Sequence, residues 1–254
     1  MLPNALDNNL SVITSCEVCG NSNLVEVINL GSSSLCDDLI RIGETTTCKE
    51  YPIEIVFCNS CKTAHQRYQV PKEKLFQEEY HYRSRVTSDV IFGMKNLVDS
   101  YIESKGSLLG LKVLDVGCND GSLLNLFKKK GAKTYGIEPT GAAKEAMRNH
   151  KVIQNYFDNN EAEYLLKKYG QFDIITFSNV FAHIEDLNSL ITNTGKLMSD
   201  SSTLIIENHY LGSILKKGQF DTFYHEHPRT YSLTSFREIA KKLNSNIYKY
   251  EYPS

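Results

Sequence analysis

The chain has 254 residues, 41% of them hydrophobic, which is enough for one large or two small domains with ordinary cores. Its formal net charge of −2 excludes the strong positive field on which binding to nucleic acid or acidic lipid depends. No apolar run approaches the roughly 18 residues of a membrane span, and the first residues lack the basic and apolar regions of an export signal. We therefore expect a cytoplasmic protein with no nucleic-acid or membrane partner.

The first feature along the chain is a pair of Cys-x-x-Cys turns. Cys16 and Cys19 form the first turn, Cys58 and Cys61 form the second, and Gly20 permits the tight reversal of a zinc knuckle. Four thiolates complete a closed tetrahedral site, which predicts a structural zinc ion and leaves no open position for catalysis. A redox role is the alternative, but neither turn opens a helix after a strand as in thioredoxin-like proteins. Two strands are predicted between the turns, over 25–28 and 51–57.

The zinc module is predicted to end at Val70-Pro71, because a residue before proline avoids the helical conformation. The segment that follows is predicted to be largely helical. From Thr87 to Lys105, apolar residues recur at a spacing of three and four, which gives one buried helix face. The chain thus divides into a zinc-binding domain at 1–70, a helical linker or lid at 71–106 and a main domain at 107–254.

The main domain alternates predicted strands and helices. The strands are expected at 112–116, 133–137, 151–155, 172–177, 202–208 and 246–252, and the helices at 121–130, 140–149, 160–169, 184–198 and 232–243. Such alternation predicts an α/β fold of the Rossmann-like type, with a doubly wound parallel sheet and right-handed crossovers. Ligands of these sheets bind at the carboxyl ends of the strands.

The turn after the first of these strands is the most informative segment for a ligand. Gly117 and Gly121 allow backbone torsions and close approaches that a Cβ would block. Glu138 ends the next strand about 20 residues later, the offset at which a carboxylate binds ribose hydroxyls. Asn119 replaces a glycine of the dinucleotide fingerprint, and Asp115 would repel a pyrophosphate but suits a sulfonium. We therefore predict S-adenosylmethionine, with NAD and a simple turn without ligand as alternatives.

Polar residues also follow the fourth strand of the main domain. Asn179 is expected to bind the amino or carboxylate end of the methionine moiety, and His183 is expected to face the transferred methyl group. The alternative for His183 is a packed or capping histidine. The predicted cofactor-binding set is Asp115, Gly117, Asn119, Gly121, Glu138, Pro139, Phe157, Asn179 and Tyr82.

A second polar cluster, Tyr224-His-Glu-His227, lies near the end of the chain. Histidine titrates near neutral pH, and a neighbouring carboxylate orients an imidazole and raises its basicity. A tyrosine hydroxyl donates to a developing enolate oxygen. The alternatives are a second metal site, which the adjacent spacing disfavours, and an exposed polar turn.

The motifs described so far, with two further segments, stand in one order along nearly the whole chain. They are Cys16-x-x-Cys19-Gly20, Tyr51-Pro52 before Cys58-x-x-Cys61, Tyr80-His-Tyr-Arg-Ser84, Asp115-Val-Gly-Cys-Asn-Asp-Gly-Ser-Leu-Leu124, Gly136-Ile-Glu-Pro139, Asn179-Val-Phe-Ala-His183 and Phe220-Asp-Thr-Phe-Tyr-His-Glu-His227. In this order the chain resembles the zinc-containing, S-adenosylmethionine-dependent C-methyltransferases of deoxysugar biosynthesis, which act on nucleotide-linked 4-keto sugars. The resemblance implies a class I methyltransferase fold with a small N-terminal zinc-binding domain.

The resemblance also implies roles for individual residues. His227 would remove the proton alpha to the ketone, and Tyr224 would stabilise the enolate oxygen. Glu226 would orient His227 or the cofactor. His183 and one of Tyr80 and Tyr82 would line the acceptor pocket. The predicted catalytic set is His183, Tyr224, His225, Glu226 and His227.

Members of that family continue into a further α/β domain that helps to hold the nucleotide sugar, whereas this sequence ends at Ser254. We expect C-methylation of a sugar nucleotide or phosphorylated sugar in surface-polysaccharide or natural-product biosynthesis. The runner-up is O- or N-methylation of a smaller or non-nucleotide acceptor, such as a capsule precursor. A non-catalytic module that binds S-adenosylmethionine or a protein is the third reading. A sheet edge without a final antiparallel strand invites pairing, so we expect either a homodimer or an N-terminal segment that covers the edge.

Overall fold

The structure, a computed structural model, describes residues 10–252. The first nine residues, on which the expectation of no export signal rests, lie outside the described residues. Within residues 10–252, no helix combines the length and the apolar character that a bilayer crossing requires.

Strands and helices are numbered here along the chain. The strands are β1 (Ser11–Val12), β2 (Leu24–Ser34), β3 (Glu50–Cys58), β4 (Thr63–Gln66), β5 (Tyr68–Gln69), β6 (Lys112–Val116), β7 (Lys133–Ile137), β8 (Lys151–Ile153), β9 (Phe172–Ser178), β10 (Met198–Glu207) and β11 (Arg229–Thr230). The helices are α1 (Lys72–Leu75), α2 (Ser88–Lys105), α3 (Ser122–Lys129), α4 (Ala143–Ala146), α5 (Asn159–Tyr169), α6 (Leu187–Leu197), α7 (Leu211–Lys217) and α8 (Leu233–Lys242).

The described chain forms two compact units, and each contains segments that are distant in sequence. The first unit contains residues 10–75, Ala182–Leu187 and Asn208–Ile247; the second contains Phe76–Phe181, Asn188–Glu207 and residues 248–252. This division by contacts differs from the predicted domains at 1–70, 71–106 and 107–254. The physical reason is strand pairing: β11 pairs antiparallel with β4, so the segment after β10 belongs with the N-terminal residues.

The second unit is built on a five-stranded parallel sheet in the order β10-β9-β6-β7-β8. Strand β6 lies at its centre, and the order of strands reverses there, so the turn after β6 stands at the switch point of the sheet. Helix α3 starts directly after that turn and buries Leu123, Leu124 and Phe127 against Met94 and Val98 of α2. The predicted doubly wound α/β fold is confirmed.

The first unit contains a four-stranded antiparallel sheet in the order β11-β4-β3-β2 and a short antiparallel pair of β1 and β5. Alternate residues of β3 point into the core, where Ile53 and Ile55 pack with Leu211 and Ile214 of α7. The strands predicted at 25–28 and 51–57 lie within β2 and β3.

Two local predictions are wrong. The strand predicted at 246–252 is absent: this segment has no regular structure, and its side chains contact α2 through Lys249 with Ser100 and through Tyr248 with Lys105. Alternating tyrosines satisfy the strand pattern, but a strand also needs a neighbour for its backbone hydrogen bonds. The helix predicted at 140–149 contracts to the single turn of α4, flanked by non-helical turns.

Candidate functional site

The turn after β6 in the second unit depends on small residues. Gly117 has a φ of 73°, and its N–H donates to the carbonyl of Ile137 at 2.8 Å. A Cβ at this position would lie 2.5 Å from Cγ2 of Val180, so any side chain would force the two segments apart. Gly121, with a φ of 81°, caps α3 from the left-handed conformation that glycine adopts without strain.

Glu138, at the end of β7, holds this turn in place. Its Oε2 accepts from the N–H of Asn119 at 3.0 Å, while its Oε1 accepts from the N–H and the hydroxyl of Thr140 at 3.0 and 2.6 Å. A carboxylate offers about four acceptor positions, so one remains after these three bonds. The acid predicted from its spacing therefore reaches the glycine turn and retains the capacity to accept from a ribose hydroxyl.

Asp115 is completely buried beneath the turn. Burial raises the pKa of Asp115 to about 7, and the nearby carboxylates of Glu138 and Glu207 act in the same direction. A hydrogen bond from the hydroxyl of Thr176, at 2.6 Å, partly offsets this effect. A cluster of three acids at one strand edge stabilises a cation and disfavours a pyrophosphate. These residues therefore fit a sulfonium cofactor better than a dinucleotide.

The loop that contains Tyr82 is tied to the same turn by side-chain hydrogen bonds. The Oδ1 of Asn119 accepts from the N–H of Ser84 at 3.0 Å, and its Nδ2 donates to the carbonyl of Tyr82 at 3.2 Å. Asp120 accepts from the N–H of Arg85 at 3.0 Å. Asp120 was not among the predicted site residues. Its sequence signal is an aspartate just before the helix predicted at 121–130, and in the structure it accepts from the N–H of Ser122 at the start of α3 at 3.1 Å.

The remaining predicted cofactor residues follow parallel strands of the same sheet. Pro139 follows β7, Phe157 lies between β8 and α5, and Asn179 follows β9 with a φ of 55°. The N–H of Asn179 donates to the carbonyl of Glu207 at 2.8 Å, and the ring of Phe157 lies 6.3 Å from that of Phe177. Since parallel strands end at one edge, these residues share that edge with Glu138.

A cluster of aromatic and acidic side chains forms the site of the first unit. The ring of His227 lies 4.7 Å from that of His183, 5.0 Å from that of His209 and 4.3 Å from that of Tyr224. The Oε2 of Glu226 is 3.9 Å from Nδ1 of His183. Two segments remote in sequence, 182–187 and 208–247, thus meet here. His209 was not in the predicted catalytic set.

The protonation of His227 is fixed by its surroundings. The Nδ1 of His227 lies 2.9 Å from the carbonyl oxygen of Thr222, which can only accept, so Nδ1 carries the proton. Burial lowers the pKa of His227 to about 4, so the ring is neutral at pH 7. The lone pair of a neutral ring is then on Nε2, which is the state required of a general base.

The other members of the cluster are held in complementary states. Burial lowers the pKa of His183 well below its usual value, and His227 and His209 add to the effect. Burial, with the carboxylate of Glu226, raises the pKa of Tyr224, so the phenol keeps its proton and acts as a donor. His225 is not brought into this cluster: its Nε2 donates to the carbonyl of Tyr51 at 3.0 Å, and its ring packs on that of Tyr51.

The four predicted metal ligands converge in the first unit. All four Sγ atoms lie within 4.8 Å of one another, with 3.3 Å between Cys16 and Cys61 and 3.6 Å between Cys19 and Cys58. Four Zn–S bonds of about 2.3 Å in a tetrahedron require sulfur atoms about 3.8 Å apart, so the set fits zinc. The hydrogen bond between Cys16 and Cys61 lowers the pKa of Cys61 to about 5 and raises that of Cys16, so Cys61 is the first of the pair to become the thiolate that a metal binds.

Two family models match this chain. A family model described as "Methyltransferase domain" matches residues 73–250, and one described as "Putative zinc binding domain" matches residues 16–76. The chain is 29% identical over 232 residues to the C-methyltransferase NovU of Streptomyces niveus. This alignment covers 88% of this chain and 54% of NovU. It is 30% identical over 156 residues to a ubiquinone biosynthesis O-methyltransferase of Coxiella burnetii. That alignment covers 54% of this chain and 66% of the relative. The chain thus spans about half the length of NovU.

The fold also has counterparts among solved structures. The PH0226 protein of Pyrococcus horikoshii OT3 superposes with a TM-score of 0.51 at 18% identity, over 65% of this chain and 89% of that one. At this identity the likeness concerns the fold alone. Together with the family matches, it confirms the predicted Rossmann-like fold with an N-terminal zinc-binding domain.

We predict that Cys58→Ser lowers the zinc content and destabilises the first unit, because a structural metal site contributes folding free energy directly. Metal analysis and thermal unfolding measure the two effects. Cys36→Ser is the matched control, since Cys36 is an exposed cysteine of the same unit and should leave both unchanged. An unaltered zinc content in Cys58→Ser would contradict the four-thiolate site.

The buried His227 should also make stability depend on pH. Unfolding returns its pKa from about 4 to about 6.5, so between these values the unfolded chain binds a proton that the folded chain does not. Stability should therefore fall as the pH drops from 7.5 to 5, by about 2 kcal/mol from this residue. Urea unfolding at pH 7.5 and pH 5 measures this loss of unfolding free energy. In His227→Asn the loss should be smaller than in the unaltered protein by about 2 kcal/mol. An equal difference in both proteins would rule out the depressed pKa.

Proposed function

Because this chain belongs to the methyltransferase domain family, we propose that it is an S-adenosylmethionine-dependent methyltransferase that methylates carbon. The second unit holds the cofactor, and the first supplies the acid–base groups. The observation that carries the proposal is the state of His227, a buried neutral imidazole whose proton is fixed on Nδ1 and whose Nε2 is left as a base.

The cofactor is bound by the strand edge of the second unit. The remaining acceptor position of Glu138 binds a ribose hydroxyl, and the acidic group around Asp115 favours a positively charged ligand. Gly117, which packs against Val180 with no room for a Cβ, keeps the backbone of the turn close to the ligand. S-adenosylmethionine, when bound, supplies an electrophilic methyl group.

The first unit prepares the acceptor. The Nε2 of His227 removes a proton from the carbon alpha to a ketone, and the phenol of Tyr224 donates to the oxygen on which negative charge develops. Tyr224 suits this role because its raised pKa keeps the hydroxyl protonated. Glu226, whose Oε2 lies 3.9 Å from Nδ1 of His183, adds a carboxylate to the same cluster. The result is a carbon nucleophile made at neutral pH by a base that is not already protonated.

The acceptor we propose is a nucleotide-linked keto sugar. The support is the extent of the likeness to NovU, a C-methyltransferase, which runs over 88% of the chain and therefore beyond the methyltransferase domain alone. A ketone also makes use of both groups of the cluster, since enolisation needs a base for the proton and a donor for the oxygen.

A second candidate function is methylation of oxygen. The relative from Coxiella burnetii is an O-methyltransferase, although its match covers only 54% of the chain. A neutral His227 is also suited to remove the proton of a hydroxyl. Deuterium exchange separates the two: with a keto-sugar acceptor in D2O and no cofactor, carbon methylation requires exchange at the alpha carbon that His227→Asn abolishes. Retention of the proton together with methyl transfer would favour oxygen.

We predict that Glu138→Gln and His227→Asn separate binding from chemistry. Glu138→Gln should weaken S-adenosylmethionine at least about tenfold, or about 1.4 kcal/mol, because it removes the charge that holds the turn and the ribose. His227→Asn should keep that affinity and lower turnover about 10²- to 10⁴-fold, the usual worth of a general base. Calorimetry measures binding, and mass spectrometry of the product, one methylene heavier than the acceptor, measures turnover.

The function itself is tested in the same experiments. Failure of the unaltered protein to bind either S-adenosylmethionine or its demethylated product at millimolar concentration would end the methyltransferase proposal. Binding without transfer to any keto sugar or hydroxyl acceptor would favour a non-catalytic module.

A further inference from the structure

Arg229 is a charged residue in the core of the first unit that the proposed reaction does not use. Its side chain is fully buried, a costly position for a guanidinium unless its donors and its charge are satisfied. It lies at the start of β11, two residues after His227. The groups that it binds explain why the charge is tolerated there.

The guanidinium joins two segments of the chain that are far apart in sequence. Its Nη1 donates to Oε1 of Glu17 at 2.7 Å and to the carbonyl of Glu185 at 3.1 Å, and its Nη2 donates to the carbonyl of Ile184. The Nε donates to the hydroxyl of Tyr231 at 3.0 Å. The first acceptor belongs to the zinc knuckle, and the two carbonyls directly follow His183.

Glu17 is held as firmly as its partner. It stands between Cys16 and Cys19, so a metal bound to those thiolates fixes its backbone. Its second carboxylate oxygen, Oε2, accepts from Nε2 of Gln69 at 2.9 Å and lies 3.3 Å from Nδ1 of His65. The carboxylate is therefore a rigid anchor, and Arg229 extends from it to the loop.

We propose that Glu17 and Arg229 are positioning residues that transmit the fixed geometry of the zinc knuckle to the loop carrying His183. Two carbonyls next to this histidine are held by one planar group, which limits how far its ring can move relative to that of His227, 4.7 Å away. The zinc domain thus acts on the reaction at a distance, without touching the reacting atoms. This inference rests on the proposed function for its effect on turnover, but not for its effect on His183.

The choice of arginine is specific to this task. A planar guanidinium directs five donors along fixed lines, whereas a lysine ammonium is a compact charge with three rotatable donors. Arg229→Lys therefore keeps the positive charge beside Glu17 but loses the simultaneous bonds to Ile184 and Glu185. Glu17→Gln is the milder change, since it keeps an acceptor oxygen and removes only the negative charge.

The test uses the full chain with its zinc, labelled with ¹⁵N in histidine. In Arg229→Lys, the ring signals of His183, assigned by their loss in His183→Asn, should shift or broaden, whereas those of His150 in the second unit should not. Zinc content and affinity for S-adenosylmethionine should be unchanged, and turnover should fall about ten- to a hundredfold, the cost of a small misplacement of a reacting group. Arg237→Lys, a change at an exposed arginine of the same unit, is the matched control.

Two results would overturn the proposal. One is an unchanged His183 signal in a folded, zinc-loaded Arg229→Lys protein. The other is loss of zinc in both Arg229→Lys and Glu17→Gln, which would make the pair part of the metal site's own stability. If Arg229→Lys does not fold but Glu17→Gln does, the ring signals of His183 in Glu17→Gln test the proposal instead. If no methyl transfer is found in any protein, the proposed function fails, and the histidine signals still decide whether this pair positions the loop.

Discussion

A buried parallel strand can offer polar atoms to a ligand only where its pairing ends, and this constraint governs the second unit. Strand β6 is paired on both sides, with Asp115 opposite Gly136 of β7 and Thr176 of β9. The chain therefore has to turn sharply after Val116, with its polar groups at the edge. Glu138 and Asn179 reach the same edge from neighbouring strands, so the cofactor residues are brought together by the sheet and not by their own contacts.

Burial acts in opposite directions on the acids and bases of this protein. It raises the pKa of Asp115 to about 7 and lowers that of His227 to about 4, so each group is shifted toward its uncharged form. For the histidine, this removes the proton that would block a base. For the aspartate, it leaves a carboxyl group that loses its proton more readily when a positive charge binds nearby. The same desolvation thus prepares two chemically different tasks in two separate units.

Local sequence patterns predicted what depends on local geometry. The cysteine turns, the glycine turn after β6 and the distant Glu138 were all identified, and the zinc-binding domain, S-adenosylmethionine as cofactor class and the fold are confirmed. Features that depend on remote pairing were not predictable. The pairing of β11 with β4 carries 208–247 into the first unit, and no periodicity reports it. The sequence does not distinguish the roles of His225 and His227. In the structure, His225 packs against Tyr51 and lies outside the cluster that contains His227.

The side chain of Asn119 bears on how this turn can change during evolution. Its amide bridges Ser84 and Tyr82, while its backbone adopts a φ of 47° that glycine would accept more easily. A single replacement by glycine would bring the turn closer to a dinucleotide-binding sequence and relieve the backbone. It would also remove the two hydrogen bonds from Ser84 and to Tyr82, leaving Asp120 and Arg85 as the tie between the turn and the 80–86 loop. A change toward a phosphate-bearing cofactor would therefore weaken the hold on this loop before any contact with a phosphate is gained.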